Sequence, residues 1–109
     1  MQTAFLRIRQ IEIDFPDVTI GITDFEFVRS GWVVKIKGQQ NFEGRDGMVK
    51  AILIAKETTG TVSGWKSGRA ELWDVVAIFD NEDEATKAGK VNEQMTIYQI
   101  ETGKLKWLD

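Results

Sequence analysis

Apolar and charged side chains alternate along the first 28 residues in two runs, FLRIRQIEIDF and VTIGITDFEFV, separated at Pro16 and Asp17. Folding the chain there sets Phe15 against Val18, Ile13 against Ile20 and Ile11 against Ile22. The same register sets Ile8 against Phe25, Leu6 against Phe27, Arg9 against Asp24 and Arg7 against Glu26. Apolar meets apolar and opposite charges meet, a pairing that stabilises antiparallel sheet by about 0.2–1 kcal/mol per pair. The pattern predicts a long N-terminal hairpin whose tip, carrying a proline, is not a type I′ turn. Both runs change phase, the second between Ile22 and Phe25. Because strand side chains alternate strictly, that switch predicts a bulge or sharp coil where the hairpin passes from one layer to another.

Further along, WVVKIKG (32–38) reads as a third strand, with Asp24 and Glu26 facing Lys35 and Lys37, and QQNFEGRDG reads as a loop. MVKAILIAKE (48–57) and LWDVVAIF (72–79) are apolar at nearly every position, as central strands covered on both faces are. Ile52, Ile54, Val76 and Ile78 are then core residues. Residues 57–70, with Gly60, Gly64 and Gly68, predict a long loop or loose hairpin. DNEDEATKAGK predicts one short helix with a capping box at Asn81 and Glu84 and a C-cap at Gly89. MTIYQI and KLKWL, joined through Gly103, predict a closing hairpin. The expected fold is a single α+β domain over residues 1–109, mainly antiparallel sheet of about seven strands with one short helix packed on it. A small β-barrel plugged by the helix is the alternative.

Composition narrows the chemistry. The chain has no cysteine and no histidine, which removes disulfides, thiolate ligands and nucleophiles, and the commonest metal ligand and general base. Catalysis would rest on carboxylates, lysines or Tyr98, and no recognisable spacing supports it, so no enzyme activity, metal or cofactor is expected. A net charge of −3 weighs against general nucleic-acid binding. No apolar run approaches the roughly 20 residues of a membrane-spanning helix. The N-terminus lacks the pattern of a secretory signal, so the expected location is cytoplasmic.

Among candidate sites, Trp65 stands out: a large amphipathic side chain in a glycine-rich stretch, flanked by Lys66 and Arg69, is suited to anchor a partner. The competing role is a lid, with Trp65 folded over an open end of the core and its indole N–H on a backbone carbonyl. GTVSGWKSG lacks the spacing and following helix of a phosphate-binding loop. Trp32, Trp73 and Trp107 fall in strands and are expected in the core. Tyr98 and Trp107 would instead offer a stacking face if exposed beside Lys104 and Lys106. The acids of DNEDE are explained by a helix N-terminus rather than a calcium loop, and NFEGRDG by a solvated tip. The combined expectation is a noncatalytic binding module for another protein or its own copy, acting through a sheet edge or the 57–70 segment. Single-stranded nucleic-acid or small-ligand binding on an aromatic face, and a carboxylate-dependent enzyme, are the alternatives.

Overall fold

The computed structural model describes residues 18–108, so the partner run of the predicted N-terminal hairpin, and with it the Arg9–Asp24 and Arg7–Glu26 pairs, lies outside the described residues. The described chain forms strands β1 (Val18–Gly21), β2 (Trp32–Lys35), β3 (Phe42–Glu43), β4 (Thr61–Ser67), β5 (Ala70–Phe79), β6 (Thr96–Gln99) and β7 (Leu105–Trp107). Two helices, α1 (Gly44–Glu57) and α2 (Glu82–Val91), are interleaved with them. The strands make one open antiparallel sheet in the order β1-β4-β5-β2-β6-β7, with β3 also paired to β5, so the α+β class holds and the barrel does not form.

β5 is the spine. It pairs with β4 along one edge, from Ser67↔Ala70 to Val62↔Val75, and with β3 and β2 end to end along the other. The segment predicted as a loop is therefore a strand, and of the two alternatives for 57–70 the hairpin is the one that forms. Its two-residue turn, Gly68 and Arg69, has positive φ at its first position (Gly68, 62°), the type II′ pattern that suits the twist of paired strands.

The run MVKAILIAKE is helix, not strand. Its buried residues Met48, Ala51, Ile52 and Ala55 recur at i, i+3, i+4 and i+7, whereas Lys50, Leu53 and Lys56 face solvent. Met, Ala, Leu and Lys are strong helix formers, and an apolar run as long as ten residues suits a helix better than a strand. Ile52 and Val76 are buried as expected, while Ile54 and Ile78 are only partly so. The predicted loop before it holds β3 and the first turn of α1, where Gly47 lies so close to the Phe42 backbone that a Cβ would sit 2.4 Å from its carbonyl carbon.

Helix α2 forms where the sequence places it. The Asn81 side chain accepts from the Glu84 N–H at 3.0 Å, and Glu82, Asp83 and Glu84 occupy the first turn, where the helix dipole favours them. Gly89, however, is not the C-cap. It lies inside the helix, which ends at Asn92, and its missing side chain makes room for Leu108 and Ile97. The predicted phase switch proves to be a reversal: β1 stops at Gly21, the chain turns through residues 22–24, Phe25 takes φ 58°, and Ile20 is bridged antiparallel to Phe27. The proposed contacts of Asp24 and Glu26 with Lys35 and Lys37 are absent from the described structure: Lys35 pairs with Asp74, and Lys37 with Glu93.

Both helices cover one face of the sheet. α1 packs on Ile20, Val62, Trp73 and Val75, and α2 on Trp32, Val34, Phe79 and Ile97. In register across the strands, these residues alternate with Ser63, Trp65, Asp74, Val76, Val33 and Lys35, which project from the other face. At the centre of the covered face the Trp73 ring lies on Gly64, where an added Cβ would come within 2.6 Å of it. Gly64→Ala is therefore expected to lower stability by about 1–3 kcal/mol through overpacking, and an unchanged urea midpoint would show that the ring is free to move aside.

Candidate functional site

The face that α1 and α2 leave uncovered carries the one buried charge among the described residues. Asp74 is fully buried in the middle of β5, and three donors converge on its carboxylate. The Asn41 N–H donates to Oδ1 at 2.7 Å, the Trp65 indole Nε1–H to Oδ2 at 2.9 Å, and Lys35 Nζ lies 3.4 Å from Oδ2. The Lys35 ammonium also sits 4.8 Å from the Trp65 ring centroid, so cation, ring and carboxylate hold one another. Trp65 is half-buried and fixed, closer to the lid than to a free loop anchor, but its indole donates to a carboxylate rather than to a backbone carbonyl. The sequence signal for this site was Asp74 itself, a lone acid inside LWDVVAIF, where a strand covered on both sides has to pair any charge it contains.

The three residues singled out from the sequence are not brought together. Lys66, one residue after Trp65, is exposed on the helix-covered side of β4, and Arg69 is exposed at the tip of the turn. Trp65 and Lys35 instead line a cleft of about 970 Å³, together with Phe27, Val33, Tyr98 and Leu105 among others.

That cleft continues onto the closing hairpin. Leu105 on β7, Tyr98 on β6, Val33 on β2 and Ile78 on β5 stand in one register across four strands. Trp107 follows Leu105 by two residues and so shares its face. Six large apolar side chains are exposed among the described residues, and all but Leu53 lie between residues 91 and 107: Val91, Met95, Tyr98, Leu105 and Trp107. Trp32 and Trp73 are in the core as expected, but Trp107 is 68% exposed, because β7 is the last strand of the described sheet and neither α1 nor α2 covers that face. Lys106 points the other way and donates to Glu82 and to the Thr86 hydroxyl, both at 2.9 Å, tying β7 to α2.

Among the described residues, no strand pairs with the outer edge of β7. The Lys104 carbonyl accepts from Gln99 and the Leu108 N–H donates to Met95, so even-numbered residues bond inward to β6. By antiparallel alternation, the N–H and C=O groups of Leu105 and Trp107 point away from the sheet. No helix among the described residues is long and apolar enough to cross a membrane. No protein-family model, curated protein or solved structure matches the chain.

Two outcomes follow. Asp74→Asn keeps the shape but turns an amide N–H₂ toward a donor, so stability is expected to fall by about 1–3 kcal/mol, with a change in Trp65 fluorescence; an unaltered unfolding curve would mean that the carboxylate is dispensable. The hydrogen bond from Lys106 holds the Glu82 carboxyl below the usual glutamate range. Its contribution to stability is then present above the ordinary glutamate pKa and is lost as pH falls through the lowered value. An NMR titration of the Glu82 carboxyl should show this, and Lys106→Met should return it to the ordinary range.

Proposed function

We propose that the protein is a noncatalytic binding module that takes up an extended segment of another protein along the open edge of β7. The observation that carries this is the row of exposed Tyr98, Leu105 and Trp107 on one face beside an edge strand with outward-facing backbone groups. Soluble proteins blunt or cover such edges, and an edge rimmed with exposed aromatic and aliphatic side chains suits strand addition. In that mode the backbone supplies affinity, and the side chains of alternate residues supply selectivity. Of the two contact surfaces expected from the sequence, the sheet edge is favoured over the 57–70 segment, because Trp65 is already engaged by Asp74 and Lys35. Nucleic-acid stacking on the same face is disfavoured by the orientation of Lys106, which is turned to the opposite face and bonded to Glu82.

Leu105→Pro tests this directly. The Leu105 N–H is not used by β6, so proline on this edge leaves the sheet ladder intact while removing an outward donor. Measured by fluorescence anisotropy with labelled extended peptides, the variant is expected to keep its melting temperature and lose binding. Undiminished binding by a folded Leu105→Pro protein would remove β7 as the contact edge.

A further inference from the structure

From the charges along β7 we infer that the strand it accepts alternates acidic and apolar residues; this rests on the strand-addition reading above. In an added strand, side chains fall alternately on the two faces of the sheet. On the helix-free face they meet Leu105 and Trp107, which calls for apolar groups. On the other face they meet Lys104 and Lys106. Glu82 is the acid bonded to Lys106, so the exposed Lys104 is the less engaged cation, and the balance of these three charges at the edge is positive.

The same lysines oppose a second copy in the two antiparallel registers that overlap β7 most. Pairing two β7 edges with Leu105 against Leu105 sets Lys104 against Lys106, and pairing Leu105 against Trp107 sets Lys106 against Lys106, whereas the shorter overlap with Trp107 against Trp107 sets Lys106 against Leu108. Like charges directly opposite each other destabilise a sheet. Lysines on an edge are a common guard against pairing of any kind, but a guard alone gives no reason for Leu105 and Trp107 to stand exposed at 55% and 68% beside them. Lysine flanking an apolar pair rejects basic strands and the protein's own edge while attracting acidic ones, which is selectivity by repulsion as well as by attraction.

Three fluorescein-labelled heptapeptides that alternate isoleucine with glutamate, serine or lysine form the test, titrated against the wild-type protein, Lys104→Glu and Leu105→Pro. The glutamate peptide is expected to bind about tenfold or more tightly than the serine peptide at low salt, with the difference narrowing as salt screens it. The lysine peptide should bind weakest, Lys104→Glu should reverse the order, and Leu105→Pro should abolish all binding. Equal affinity for all three peptides, lost in Leu105→Pro, would overturn the acidic preference and leave strand addition standing. No binding of any peptide, or binding that Leu105→Pro does not affect, would overturn both.

Discussion

β5 must be covered twice along the same edge, and the join between its two coverings falls at Asp74. β3 pairs with residues 72 and 73, β2 with residues 76 to 79, and the chain between them bows away through residues 36–41. At the join, Val75 keeps its backbone bonds by reaching Gln39 and Ile36. Asp74 then takes the Asn41 N–H from one side of the bow, the Lys35 ammonium from the other and the Trp65 indole from β4. One carboxylate thus fastens three strands where the ladder alone would leave a gap. A buried charge persists only when its acceptor capacity is filled, and here the three donors come from segments 9 to 39 residues away in sequence.

That dependence explains which parts of the structure were legible in the sequence. The helix at Asn81 and the closing hairpin at Gly103 are specified by neighbours: a cap three residues from its donor, and a glycine where φ reaches 71°. The N-terminal half is specified by distant contacts. Residues 48–57 look like a covered strand because their apolar content is high, and only the recurrence of Met48, Ala51, Ile52 and Ala55 separates the helix from it. The phase change between Ile22 and Phe25 was visible, but its cause, a chain reversal that bridges Ile20 to Phe27, was not.

The candidate site was legible in pieces. Trp65 was conspicuous, yet what fixes it is Asp74, a residue whose significance depends on strand pairing that no local pattern discloses. The exposed row on β6 and β7 was hidden for a related reason. Tyr98, Leu105 and Trp107 have the composition of core residues, and what leaves them exposed is that they stand on the face that α1 and α2 do not cover, Leu105 and Trp107 on the last strand of the described sheet as well. Edge or centre is a property of topology, and two strands of equal hydrophobicity differ in it without differing in sequence pattern.

The two-residue turn at Gly68 and Arg69 also bears on how the chain assembles. β4 and β5 meet across that turn alone, whereas β2 joins β5 from Lys35 to Val76 and β1 joins β4 from Gly21 to Thr61. Loop-closure entropy rises with the length of chain enclosed, so the β4–β5 hairpin is the least costly of these three closures. It already contains both Asp74 and Trp65. The local part of the polar junction can therefore form within a single hairpin, leaving the carboxylate to select, by charge and by hydrogen bond, the remote segments that carry Lys35 and Asn41.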